Sequence, residues 1–457
     1  MGISRVFVAN RGEIAVRVIR ACKALSIETV LGVSSADRET MGARLADRVV
    51  CIGPARSTDS YLNRQAILAT ALATECDAIH PGYGFLSEDA EFARLCHEND
   101  LIFVGPTPEN IRRMGNKLEA RSLAKEFNVP LAEGSARLYS ADEALETAEQ
   151  VGYPILLKAA AGGGGRGIRV VDAPEKLKAA FEGASAEAAA AFGDGAMFME
   201  RYIGNARHVE VQILADNHGN VIHLGERDCS LQRRYQKMVE ESPAPGLSDK
   251  LRQQIHESAV TLAKNIGYVS AGTVEFIVDM DRSQFYFLEM NTRVQVEHPI
   301  TEAVTGVDIV AQQLRIAAGE KLDINQGEVK VEGHSIECRI NAEAPLRGFQ
   351  PSPGRISRWR PPSGSGIRLD SHGFEGYFMP PYYDSLLGKL IVHGKDRQDA
   401  LAMMEQALAG FEIEGVETTI PFLQYVIVND DFVTGNFNTR WLEKVATTFL
   451  ESQAVDS

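Results

Sequence analysis

In the nine residues at 289–297, Glu-Met-Asn-Thr-Arg-Val-Gln-Val-Glu, every second position carries a functional group: Glu289, Asn291, Arg293, Gln295 and Glu297. Alternate side chains of an extended chain point the same way. An extended segment here therefore has one face of carboxylates, amides and a guanidinium. Its other face holds Met290, Thr292, Val294 and Val296. The row follows the apolar run Phe285, Tyr286, Phe287 and Leu288, so it continues a strand that enters a core. A solvated edge strand is also polar on one face. This mixture differs, because hard cations take oxygen ligands and oxyanions take an Arg fork. The row predicts a strand that forms the floor of an active site.

A chain of 457 residues predicts about three domains at ~150 residues each. With 44% hydrophobic and 24% charged residues, it has the composition of a soluble globular protein with a sizeable core. No apolar run approaches the ~20 residues of a membrane span. The N-terminal residues enter a strand almost at once and show no signal-peptide pattern. Six cysteines (22, 51, 76, 96, 229 and 338) are scattered without a C-x-x-C pair, which fits reduced thiols and a cytoplasmic location. The net charge of −15 argues against a nucleic-acid surface, which needs a basic patch. Anionic small substrates remain compatible, since screening over roughly 8 Å lets clustered cations govern a cleft.

Residues 5–35 read as strand, helix (about 14–25) and strand, a βαβ unit. Helices near 62–74 and 88–98 and short strands near 78–80 and 102–104 extend it to an open α/β sheet over the first ~110 residues. No G-x-G-x-x-G follows the first strand, so nicotinamide binding is not supported. A helix near 116–127 precedes strands at 154–158, 168–171 and 197–200 and an Ala-rich helix. Strands recur from 208, with a helix near 249–265 and a hairpin of 273–279 with 284–290 turning at 280–283. One amphipathic helix is expected over 301–318, with Val304, Val307, Ala311, Leu314 and Ala318 on one side.

Two further patterns carry chemistry. Five glycines fill six positions at 162–167, including Gly163, Gly164, Gly165 and Gly167. Glycine lets several backbone N–H groups approach a phosphate. Lys158 ends the strand before the loop and another strand follows it, without G-x-x-x-x-G-K-[ST]. That reads as a hairpin flap over a nucleotide, not a P-loop. Glu275 and Glu289 lie on the two strands of the later hairpin, with Asn291 two residues on. Magnesium favours one or two carboxylates plus substrate phosphates, and like charges on neighbouring strands repel unless a cation lies between them. The ten histidines form no H-x-x-x-H or Cys/His cluster, so a zinc site is not expected.

The segments 9–15 (Ala-Asn-Arg-Gly-Glu-Ile-Ala), 80–88 (His-Pro-Gly-Tyr-Gly-Phe-Leu-Ser-Glu), the glycine loop, 226–230 (Glu-Arg-Asp-Cys-Ser), 289–298 and 337–343 (Glu-Cys-Arg-Ile-Asn-Ala-Glu) occur in that order. As a set they closely resemble the biotin carboxylase subunit of biotin-dependent carboxylases, of the acetyl-CoA, other acyl-CoA or pyruvate carboxylase type, within the ATP-grasp superfamily. The resemblance runs from about 3 to 445. It implies an α/β (α+β) ATP-grasp fold: an open Rossmann-like domain at 1–114, an ATP-grasp domain at 115–330 with a mobile Gly-rich lid at about 131–203, and a mixed C-terminal domain at 331–446.

The resemblance also implies roles. Lys117, Lys158, His208, Gln232 and the loop glycines would bind ATP, with Glu200, Arg201 and Ile203 at the adenine pocket. Glu275, Glu289 and Asn291 would hold Mg²⁺ or Mn²⁺. Glu297 would deprotonate bicarbonate, Arg293 and Lys237 would hold it and the developing carboxyphosphate, and Arg339 would stabilise the biotin enolate. Tyr83, Gln295 and Val296 would line the bicarbonate and biotin site. The biotinyl signature, a lysine between two methionines, is absent, so biotin is expected on a separate biotin carboxyl carrier protein, with a carboxyltransferase subunit as second partner and a homodimer as the assembly. Tyr235 departs from the His or Asn usual there, which predicts altered ATP affinity. Another ATP-grasp carboxylate ligase shares the lid and metal residues but not the 80–88 and 337–343 segments. A non-catalytic ATP sensor has no use for the base and arginines.

Overall fold

The computed structural model describes residues 2–160 and 168–455. The glycine loop at 162–167, with Gly163, Gly164, Gly165 and Gly167, lies outside the described residues. The chain opens as the expected α/β unit: strands β1 (Arg5–Val8), β2 (Glu28–Ser34), β3 (Arg48–Gly53), β4 (Ala78–His80) and β5 (Ile102–Phe103) form one sheet in the order β3-β2-β1-β4-β5. Every pairing in it is parallel, as crossover helices on both faces require. The helix Gly12–Ala24 covers one face through Ile14, Val18 and Ile19. That core continues into Leu214, Ala271 and Val310 of the following region, so the first domain is packed onto the rest.

Strands β6 (Ile155–Ala159), β7 (Arg169–Val171) and β8 (Met197–Arg201) make a small antiparallel sheet in the order β7-β6-β8. Helices Ala141–Val151 and Pro174–Phe192 cover it. Among the described residues its core, built from residues such as Leu138, Ile155, Leu157 and Met199, draws on no other region. A unit with a private core can move as a body, and β6 and β7 are the arms of the hairpin that carries the glycine loop.

The third region is an eight-stranded antiparallel sheet. It contains β9 (Ala206–Ala215), β10 (Val221–Arg233), β11 (Gln236–Ser242), β12 (Ser270–Asp279), β13 (Gln284–Asn291), β14 (His334–Asn341) and the strands Ile367–Ser371 and Leu386–Gly394. The order runs β13-β12-β9-β10-β11-β14, then Leu386–Gly394 and Ile367–Ser371. β11 pairs directly with β14, so the sheet is continuous across the expected domain line at 330/331. Helix Asp249–Asn265 begins where Ser248 accepts the Leu251 N–H, and it packs Leu251, Ile255 and Leu262 on one face.

Two expectations need correction. The single helix over 301–318 is two, His298–Thr305 and Ile309–Ala317. Gly306 adopts φ +71° and stops the first, and Asp308 caps the second by accepting the Ala311 N–H; periodicity does not register a one-turn break of that kind. The strand expected over 289–297 ends at Asn291, and Glu297 is already the N-cap of the next helix. No described helix is long and apolar enough to cross a membrane. All six cysteines are unpaired.

Candidate active site

Every expected site residue among the described ones lines a single cavity of about 1070 Å³ between the first domain, the small sheet and the large sheet. The row at 289–297 reaches it by two means. Glu275 stands opposite Glu289, but Phe276 stands opposite Phe287, so Leu288 is an extra residue in β13. This bulge turns Glu289 into the cavity although Phe287, of the same parity, packs in the core; one inserted residue exchanges the faces of a strand. Beyond Asn291 a loop carries Arg293, Gln295 and Glu297 to the same cavity.

At the centre lies Lys237 on β11. Its Nζ donates to Glu210 Oε2 at 2.7 Å, Glu275 Oε1 at 3.0 Å and Glu297 Oε1 at 2.7 Å. Burial disfavours the ammonium, but the three carboxylates outweigh it and raise its pKa well above the usual lysine value. Glu297 shows the converse. Burial favours its neutral form, yet Lys237, Arg339 and Arg227 prevail and hold the carboxyl below the usual range. Arg339 bridges two carboxylates, its Nη2 3.0 Å from Glu297 Oε2 and its Nε 2.7 Å from Glu240 Oε1.

Arg227 was not singled out from sequence. It is fully buried and donates to Glu210, Gln212, Thr273, Thr301 and Gln295. Glu210 is likewise new, and its signal was legible: His208, Glu210 and Gln212 alternate with Val209 and Val211. Gln295 is held between Arg227 and Glu275. Arg293 Nε donates to Glu88 Oε2 at 2.9 Å and Nη2 to Asn291 Oδ1 at 3.2 Å. Tyr83 donates to Glu13, whose other oxygen lies 3.1 Å from Lys389 Nζ. Lys389, fully buried, also donates to the Val296 carbonyl at 2.7 Å and so fixes the backbone beside Glu297.

The other end of the cavity is less complete. Lys158 and Arg121 both pair with Glu200, and Lys117 Nζ lies 3.9 Å from Glu289 Oε2. His208 sits 3.1 Å from Glu275 Oε2 and shares a hydrogen bond with Gln232. Burial works against its charge, but Glu275 raises its pKa above the ordinary histidine value. Arg201 donates to the Tyr286 hydroxyl, and Ile203 and Tyr235 lie on the wall. Burial and then the neighbouring Glu275 push Glu289 above the usual carboxylate range. Glu289 in that condition, facing Glu275 with the Asn291 amide alongside, fits a divalent cation, which would supply the missing positive charge.

Family models match three consecutive stretches: the biotin carboxylase N-terminal domain over 2–111, the ATP-binding domain of the carbamoyl-phosphate synthase L chain over 116–325, and the biotin carboxylase C-terminal domain over 337–444. Biotin carboxylase 1 of Bacillus subtilis (strain 168) is 52% identical over 442 residues, 96% of this chain and 98% of its own. The crystal structure of a biotin carboxylase–βγ-ATP complex from Campylobacter jejuni superposes with a TM-score of 0.94 at 47% identity, covering 97% of this chain and 99% of that one. The biotin carboxylase domain dimer of Hydrogenobacter thermophilus 2-oxoglutarate carboxylase, in complex with MgADP, ADP and bicarbonate, gives 0.93 at 48% identity, covering 98% and 99%. With half of its residues shared along nearly its whole length, this chain belongs to the biotin carboxylase family of ATP-grasp ligases.

Proposed function

We propose that the cavity carboxylates biotin at the expense of ATP, with bicarbonate as the carbon source. The observation that carries this reading is Lys237 and Arg339 converging on Glu297. Bicarbonate is a poor nucleophile and needs both a base and a cationic cradle. Glu297 takes its proton, and Lys237 and Arg293 hold the anion as it attacks the γ-phosphate and displaces ADP to give carboxyphosphate. As bicarbonate engages the cations that now lower the pKa of Glu297, the carboxylate becomes a stronger base. Carboxyphosphate then splits into CO₂ and phosphate, phosphate accepts the biotin N1′ proton, and Arg339 steadies the enolate while N1′ attacks CO₂ to give carboxybiotin. Tyr83, Gln295 and Val296 line this end.

Glu275, Glu289 and Asn291 would hold Mg²⁺ or Mn²⁺, which neutralises the phosphate charge when bound. Lys117, Lys158, His208 and Gln232 face the nucleotide, with Glu200, Arg201 and Ile203 around the base. The small sheet closes over it and excludes the water that would destroy carboxyphosphate. Biotin arrives on a separate biotin carboxyl carrier protein and leaves for a carboxyltransferase subunit, and the enzyme works as a cytoplasmic homodimer.

Bicarbonate-dependent ATP hydrolysis stimulated by free biotin tests the reading. Glu297→Gln should lower it on the order of 10²–10⁴, the usual contribution of a general base. Near-normal turnover in that variant would refute the assignment.

A further inference from the structure

Behind Arg339 lie two carboxyl groups for which the reaction above has no use. Glu240 on β11 stands directly opposite Glu337 on β14, so their side chains leave the same face of the sheet. Both are fully buried. Glu240 Oε1 accepts from Arg339, but Glu240 Oε2 and both oxygens of Glu337 have no hydrogen-bond partner among the described residues. Like charges opposite one another on adjacent strands repel. A buried carboxylate without partners is also costly enough that the group takes up a proton instead.

We propose that Glu240 and Glu337 form a proton-holding carboxyl pair, and that the single negative charge left on the pair positions Arg339 for biotin carboxylation. The inference deepens the reading above and rests on its role for Arg339.

The surroundings decide where the charge sits. Facing the pair are Arg339 on β14, Lys237 on β11, Lys389 on the strand Leu386–Gly394, Glu297 before the helix that packs over this face, and the Cys229 thiol on β10. His298 opens that helix and is neutral, since burial and then Lys389 hold its pKa well below the ordinary histidine value. Burial pushes Glu337 well above the usual carboxylate range, and Lys389 offsets it only in part. Burial pushes Glu240 up to about 7, Arg339 notwithstanding. Glu337 therefore keeps its proton while Glu240 exchanges one with solvent.

Above that pH, ionised Glu240 anchors Arg339 through Nε and Nη2 and fixes the guanidinium plane that Nη2 also presents to Glu297. Below it, the anchor is a neutral acid and a far weaker partner. In the ligand-free enzyme Lys237, Arg339 and Arg227 hold the Glu297 carboxyl below the usual range, so the base supplies no inflection near neutrality before bicarbonate binds. Glu240 is thus a positioning residue, acting through Arg339.

Two measurements on the intact enzyme test the pair. With free biotin as acceptor, the wild-type kcat/KM for bicarbonate, referred to the bicarbonate anion present at each pH, should fall through a midpoint near 7 toward the Glu240→Gln level and level off above it. Glu240→Gln should lose that inflection and run about tenfold or more below the wild-type plateau, with the KM for ATP unchanged. Infrared spectra of the ligand-free enzyme should show, among the protonated carboxyl bands, two that belong to the buried pair. One should vanish as pH rises through about 7 and be missing from Glu240→Gln. The second should persist and be missing from Glu337→Gln. An unaltered inflection in Glu240→Gln, even with a uniform rate loss, overturns the proposal. So does the absence of any such band in the wild-type enzyme above neutrality, a result that needs no variant to fold. Wild-type turnover in Arg339→Gln would overturn the Arg339 role and the anchoring with it, while the infrared bands would still report the pair.

Discussion

The two ends of the cavity are built on different principles. Around Lys237 the charges are buried and matched within the protein: three carboxylates share one ammonium, Arg339 spans Glu240 and Glu297, and Arg227 is enclosed by five partners. At the nucleotide end Glu289 faces Glu275 with Lys117 no nearer than 3.9 Å, and its charged form is disfavoured. The first end is organised before ligand arrives. The second is left in electrostatic debt that a metal–nucleotide complex would cancel. A small monoanion such as bicarbonate offers few contacts and brings little binding energy, so its site is best prepared in advance. A nucleotide with its metal brings much and can complete its own site.

That contrast can be broken by substitution. The largest effect belongs to Lys237→Met, which removes the ammonium that Glu210, Glu275 and Glu297 share and leaves them facing one another with only Arg227, His208 and Arg339 at their outer sides. Breaking a buried ion network by removing one partner costs about 3–5 kcal/mol. Urea unfolding of the ligand-free protein should show that loss, and an unchanged midpoint would mean the matched end is not what holds the sheet there. Glu289→Gln should do the opposite. Its carboxylate is disfavoured in the fold, so stability of the ligand-free protein should hold within about 0.5 kcal/mol and lean upward. Metal affinity should still fall by about tenfold or more, read from the Mg²⁺ dependence of turnover. A large destabilisation by Glu289→Gln would erase the distinction between the ends.

Tyr235 gives the smallest effect and sharpens the nucleotide side alone. It sits at the tip of the β10–β11 hairpin with φ +65°, is 61% exposed, and borders the cavity. Tyr235→His should change the KM for ATP by a few-fold, about 1 kcal/mol or less, and leave the bicarbonate dependence alone. An unchanged KM for ATP would count against nucleotide contact there.

How much of this could be read from sequence depends on which physical constraint encodes it. The first sheet was legible because parallel strands and their helices leave separate periodicities, as in 5–35. The hairpin of Glu275 and Glu289 was legible because its turn is short and its faces are distinct. The simple alternation of 289–297 was right about convergence and wrong about means: a bulge at Leu288 and a loop after Asn291 do what a continuous strand was expected to do. Bulges have no periodic signature, and neither does the stop at Gly306. Lys237 and Arg339 stood out only through family resemblance. Arg227, Glu210, Glu240 and Lys389 act by mutual contact between strands distant in sequence, which no local pattern of a single chain reports. Glu210 alone had a usable sign, in its alternation with Val209 and Val211.

In the proposed reaction the prepared end deprotonates bicarbonate for attack on the γ-phosphate of ATP. Oxygen-18 transfer tests it most directly. With ¹⁸O-labelled bicarbonate and free biotin in unlabelled water, the phosphate released should carry label from bicarbonate, and Glu297→Gln should release label no faster than its residual turnover. Phosphate that takes its new oxygen from water alone would contradict the account.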